Sequence, residues 1–259
     1  MTQSSNTQGL SPEQKAFYQA NGYVVLPGLF SPQECQAFVD HVEDLRNGRK
    51  TLDGFEQNTK YGFRSFNQHL YDPKALDFFI DARLRQPLAD CLEDEAEGIQ
   101  TMHFFEGSEV PWHQDQYYLP DCMSAWLAMV DVDEGNGPLG VIPGTHKGRL
   151  ITKKEVPEPA PGSDETFDQW QANRYFPAVD KMVQEDGRGG IQVYVNQGDV
   201  IFFHGRLLHC GMPVKEQGRA RHALACHYIP AQSEHWDRDW PRFSFDRTQR
   251  VHYTPASDD

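Results

Sequence analysis

The sequence has no apolar run approaching the roughly 18 residues a membrane-spanning helix needs, which excludes a helical span. Met1 to Leu10 lacks the apolar core of a secretory leader, so residues 1–10 read as a flexible polar tail. Lys and Arg form no cluster: 24 basic residues face 38 acidic ones, for a formal net charge of −14. Nucleic acids and other polyanions are therefore poor partners, and the acidity serves solubility. Cysteine is scarce. The five present (Cys35, Cys91, Cys122, Cys210, Cys226) are odd in number and contain no C-x-x-C pair. This fits a reduced cytoplasmic protein better than a disulfide framework or a zinc site. No internal repeat is present.

What is present suffices for one sizeable core. With 259 residues, 38% apolar and 12% aromatic, residues 11–259 are expected to form a single domain. Ser11-Pro12-Glu13-Gln14 supplies a cap, a first-turn proline and a capping-box partner, and Gly22 stops the helix it starts. Ser31-Pro32-Gln33-Glu34 repeats the device for a second helix running to about Asn47. Tyr23-Val24-Val25-Leu26 between them is a short strand. One or two helices follow between Pro73 and Glu97, with Pro87 marking a break or a start.

From Ile99 the pattern changes to short strands: Ile99–Phe105, Ser124–Val132, Leu139–Ile142, Ile191–Val195, Val200–His204 and Ala223–Ile229. Residues 148–190, rich in Pro, Glu and Asp, read as an insertion or lid that carries Trp170, Arg174 and Tyr175. Helices followed by many strands predict an α+β, mainly β chain: a cupin-like jelly roll, or double-stranded β-helix, with N-terminal helices on one sheet.

The chemistry concentrates at His113-Gln114-Asp115. On an extended segment His113 and Asp115 point the same way and can occupy adjacent positions on one metal. One imidazole and one carboxylate, joined by a second imidazole, form the facial set that leaves three positions open on Fe(II). Alone, H-x-D is a chance pattern in an exposed loop more often than a ligand pair. Pro111-Trp112 before it and Tyr117-Tyr118-Leu119-Pro120 after it give an aromatic rim. The third ligand is either His204 or His209, both near the end of one strand. His41, His69, His146, His235 and His252 are assigned to the surface. Arg221 opens the strand Ala223–Tyr228, and an arginine beside an iron site suits a cosubstrate bearing a carboxylate. Arg219, the nearby competitor, reads as a surface ion pair.

At these residues the chain resembles the phytanoyl-CoA dioxygenase family of iron(II)/2-oxoglutarate oxygenases, over about Leu10 to Pro230. Gln14 to Phe30 is similar to the family's N-terminal signature, and Pro111-Trp112-His113-Gln114-Asp115 to its first iron motif. Trp126 to Val132, Asn136-Gly137-Pro138-Leu139 and Ile142-Pro143-Gly144-Thr145-His146-Lys147 resemble the segment leading to its PGSH or PGTH turn. Gly198 to His209 and then Arg221 resemble the second iron motif and the 2-oxoglutarate arginine. Met212-Pro213-Val214 departs from the polar turn common after that motif.

The resemblance implies iron held by His113, Asp115 and His209, and 2-oxoglutarate held by Arg221, with Met102, Trp126 and Gln114 beside the cosubstrate. The strand around Arg64 offers a further polar contact. It implies use of O2, release of succinate and CO2, and hydroxylation of an aliphatic C–H of a small molecule. Desaturation, epimerisation or ring formation in a secondary-metabolite pathway are alternatives at the same site. Related halogenases lack the carboxylate, so Asp115 argues against halogenation. A non-catalytic metal-binding jelly roll is the rival of another class, and Arg221 counts against it. For the substrate, the expected contacts are His103 and Phe105 from one strand, Tyr117 and Tyr118 after the metal motif, and Arg206 before His209. The absence of a basic cluster disfavours a CoA thioester and leaves a small polar molecule or secondary metabolite.

Overall fold

Two serine–proline pairs organise the front of the chain. In the computed structural model, which describes residues 8–55, 62–236, 238 and 240–250, Ser11 and Ser31 cap α1 (Pro12–Asn21) and α2 (Pro32–Arg46). Each serine hydroxyl accepts the N–H three residues on, and the side chain there accepts the serine N–H in return. Gly22, at φ 80°, ends α1 and turns the chain into β1 (Tyr23–Leu26). The flexible-tail expectation fails at its end. Leu10 is buried, and its N–H bonds Asp90 Oδ2 at 2.7 Å; residues 1–7 lie outside the described residues.

Asp72 and Asp81 cap α3 (Pro73–Phe79) and α4 (Ala82–Leu92). Pro87 neither breaks nor starts a helix, because the Asp81 cap sets the start earlier and places Pro87 inside α4. The strands are β2 (Arg64–Phe66), β3 (Ala96–Phe104), β4 (Met123–Ala128), β5 (Leu139–Val141), β6 (Ile191–Val193), β7 (Val200–His204), β8 (His209–Gly211), β9 (Ala223–Pro230), β10 (Arg242–Phe243) and β11 (Gln249–Arg250). The major sheet runs β1-β7-β4-β9-β3-β10-β11, with β2 also on β3, and the minor sheet runs β6-β5-β8. All pairings are antiparallel.

The central strands β4, β7 and β9 of the major sheet are buried on both faces, so they carry almost no polar alternation. Met123, Ala125 and Leu127 of β4 face Phe38, Phe79 and Leu88 of the helices. Trp126 and Ala128 face the minor sheet through Leu139, Val141 and Val193. The result is a jelly roll with helices against its larger sheet. Burying each large apolar side chain contributes about 1.5–3 kcal/mol. Among the described residues no helix is long and apolar enough to cross a membrane.

The second half of the insertion is helical: α5 (Phe167–Trp170), a π-helical turn over Gln171–Tyr175, and α6 (Phe176–Asp186). Trp170 and Tyr175 anchor it by packing with Tyr117, Ile142 and Leu208.

Candidate active site

The open end of the jelly roll gathers the polar residues. His113 and His209 exchange backbone hydrogen bonds at 2.9 and 3.2 Å, which fastens the metal motif to the edge of the minor sheet beside β8. His113 Nε2 lies 3.7 Å and His209 Nε2 3.5 Å from Asp115 Oδ1. One ligand atom from each of the three lies within 4.8 Å of the others.

Two backbone carbonyls set the ring tautomers. His113 Nδ1 donates to Pro111 O at 2.7 Å and His209 Nδ1 to Leu207 O at 3.0 Å, which directs both Nε2 atoms at Asp115. Burial works to lower the His209 pKa, but Asp115 outweighs burial and raises it. Asp115 Oδ2 accepts the Ser124 hydroxyl at 2.8 Å and lies 3.5 Å from His227 Nε2. Burial, then neighbouring His209, lowers the His113 pKa to about 3 and keeps it neutral. Burial works to raise Asp115, but His209 and His227 outweigh it and hold the carboxyl well below its usual range. A neutral imidazole and an ionised carboxylate are the ligand forms. Two nitrogens and one oxygen, with no thiolate, fit iron(II) with open positions.

Deeper in, Arg221 is 3% exposed, with its guanidinium 5.2 Å from the Phe104 ring and 5.4 Å from the Trp126 ring. Its polar contacts are long, 3.4 Å to Glu106 O and 3.3 Å to Ser108 Oγ, and its buried Nε has no partner. Burial lowers its pKa to about 10. Among the described residues no carboxylate neutralises this cation, so its surroundings call for an anion from outside. Arg221, Trp126 and Met102 line an inner compartment that meets a larger outer cavity at His113 and Asp115. Arg219 instead pairs with Asp133 at 2.7 Å on the surface.

The structure places the remaining expected residues unevenly. His204 lies away from the cluster, accepting the Arg206 N–H at 3.0 Å beside His146. Tyr118 lines the outer cavity, and its hydroxyl accepts from Gln171 at 2.9 Å. Arg64 lines both compartments.

Five expectations are corrected. Gln114 does not face the cosubstrate: its amide turns away to Arg149 O, Arg206 O and the Ile151 N–H. His103 and Phe105 lie on the helix side of β3, because alternation sends Met102 and Phe104 inward. His103 packs on Phe38 and bonds His222 at 3.1 Å, while Phe105 sits under Arg46. Tyr117 is buried under the lid, with its hydroxyl donated to Val156 O. Arg206 reaches Gly148 O, outside the cavity.

Other assignments change as well. His69 is not at the surface but 3% exposed; His252 lies outside the described residues. On the lid, Phe167, Gln171 and Phe176 line the cavity, while Trp170 and Tyr175 are core and Arg174 pairs with Glu165. Sequence reading missed Ser124 and His227, cross-strand partners on the inward face beside Trp126 and Ala225. Extending the inward alternation from Trp126 would have reached Ser124.

The model of the phytanoyl-CoA dioxygenase (PhyH) family matches residues 18–223. The chain belongs to the phytanoyl-CoA dioxygenase family. It is a 2-oxoglutarate-dependent non-haem iron oxygenase. Within the family it is 28% identical to the peroxisomal phytanoyl-CoA dioxygenase of Bos taurus, over 88% of this chain and 71% of that one. EctD from S. alaskensis with bound Fe superposes with a TM-score of 0.67 at 20% identity, covering 98% of this chain and 90% of that one. SnoK, a non-heme alpha ketoglutarate dependent carbocyclase from nogalamycin biosynthesis, superposes at 0.66 with 16% identity, covering 97% and 90%. The two structural likenesses show the shared fold.

Proposed function

We propose that this family member hydroxylates an aliphatic C–H of a small molecule, consuming 2-oxoglutarate and O2 and releasing succinate and CO2. His113, Asp115 and His209 hold the iron, and Arg221 holds the distal carboxylate of 2-oxoglutarate. The observation that carries this reading is the buried, carboxylate-free Arg221 in a compartment ending at the His113–Asp115–His209 cluster. Iron(II) with 2-oxoglutarate and O2 supplies the oxidising power, and the chain supplies placement and shielding. The two carbonyl-bound imidazoles fix ligand direction, and Ser124 orients Asp115. Arg221, stacked between Phe104 and Trp126, presents its charge to a dicarboxylate without competing for the metal.

The outer cavity, about 450 Å³, takes the substrate. Its wall includes Phe63, Phe66, Tyr118, Phe167, Phe176 and Trp240, which favours a molecule with an apolar body. Asp115 fills the ligand position that halogenation needs open, so the reading is oxygenation. A cytoplasmic location is part of this proposal. Anaerobic addition of Fe(II) and 2-oxoglutarate is expected to raise a visible charge-transfer band, and a metabolite panel under air to release succinate. No band and no succinate would overturn the reading.

A further inference from the structure

The lid and the metal motif meet at one residue. Gln114, between two of the proposed ligands, is fully buried. Its side chain holds Arg149 and Ile151 at the start of the insertion and Arg206 on the approach to His209, at 2.7–3.1 Å. Its backbone is held from the other side by a single phenol: the Gln114 N–H donates to the Tyr175 oxygen at 3.1 Å, and the Tyr175 hydroxyl donates to Gln114 O at 3.2 Å.

The π-helical turn makes this contact compatible with a cavity wall. Phe167 and Phe176 both line the outer cavity, although in an unbroken α-helix residues so spaced lie about half a turn out of phase. The wide turn over Gln171–Tyr175 takes up an extra residue and brings Phe176 back toward the cavity side. Within that turn Gln171 reaches Tyr118 at 2.9 Å, and Tyr175, the last residue, reaches Gln114. One short segment therefore touches both the substrate space and the peptide joining His113 to Asp115.

We infer that Tyr175 is a positioning residue that couples the seating of the lid to the geometry of the iron ligands. The inference rests on the ligand assignment proposed above. The coupling runs both ways: whatever orders the metal motif orders the lid, and a body pressing on Phe167, Gln171 and Phe176 is felt at Gln114. The Tyr175 ring packs 4.4 Å from Tyr117 and 5.7 Å from Trp170, so Tyr175→Phe keeps the packing and removes only the hydrogen bonds.

The test uses nickel(II) with 2-oxoglutarate, which needs no turnover and no known substrate. Hydrogen exchange is followed in peptides spanning 110–118 and 165–187, and metal affinity by tryptophan fluorescence. In the wild type, nickel is expected to slow exchange in both peptides, by roughly five- to tenfold, the worth of about one hydrogen bond. In Tyr175→Phe, nickel still binds within a few-fold, yet the lid peptide no longer responds. A wild-type lid indifferent to bound nickel overturns the coupling, as does a Tyr175→Phe lid that responds as the wild type does. Failure of the wild type to bind nickel overturns the ligand assignment itself, and the coupling with it.

Discussion

Arg221 and Asp115 are both charged and both buried, and the chain treats them differently. Asp115 accepts the Ser124 hydroxyl and has ring nitrogens of His209 and His227 each 3.5 Å away, whereas Arg221 has two long contacts and two aromatic walls. A buried charge left this open is matched by a ligand. Arg221→Ala is therefore expected to raise the KM for 2-oxoglutarate about 100-fold, the equivalent of roughly 3 kcal/mol for two charge-assisted hydrogen bonds. Arg219→Ala, which removes an exposed pair, should leave that KM within about twofold. Equal effects would refute the division between the two arginines. Likewise His209→Ala should abolish iron binding and His204→Ala should spare it, as read by anaerobic titration with Fe(II). That His113, Asp115 and His209 would cluster, with Arg221 buried beside them, was legible from spacing and ligand chemistry. His103 was misplaced because both faces of β3 are buried, so polarity gave no sign of which way it points.

At the scale of elements, β3 depends on a glycine. Pairing with β9 shifts between Gly98 and Gln100, which leaves Ile99 as the extra residue and sets the inward row Gln100, Met102 and Phe104. A Cβ on Gly98 would sit 2.4 Å from Phe79 Cζ, itself wedged 4.4 Å from His69 and 5.3 Å from Tyr228. Gly98→Ala should cost about 1–3 kcal/mol by overpacking, measured as a lowered urea midpoint. Phe79→Leu should cost less in that background than alone, and strict additivity of the two would show that the ring is not what the methyl meets. The same scale explains what could be read beforehand. Ser11-Pro12 and Ser31-Pro32 announce helices because capping is local. The lid helix was hidden because Pro177 and a π turn interrupt its period, and its apolar residues split between the core and the cavity.

For the whole molecule, the jelly roll joins strands distant in sequence, such as β1 with β7 and β3 with β9, so strand order could be expected only from fold class and family likeness. The helical layer is tied to that sheet partly through His69. Its Nδ1 meets Thr101 Oγ1 of β3 at 2.9 Å, and its ring lies against Phe79 of α3 and Phe243 of β10. Burial lowers its pKa from 6.5 to about 3, so the folded protein keeps the ring neutral. Well above pH 6.5 neither folded nor unfolded chain protonates it, and its contribution to stability is complete. Between 6.5 and about 3 only the unfolded chain binds the proton, so stability falls with acidification at about 1.4 kcal/mol per pH unit. From pH 7 to 5 this histidine alone should remove about 2 kcal/mol. His69→Gln cannot titrate, and its loss over that interval should be smaller by that amount in urea unfolding followed by circular dichroism. If wild type and variant lose the same stability between pH 7 and 5, His69 is not a neutral link between the layers, and the acid sensitivity lies elsewhere in the chain.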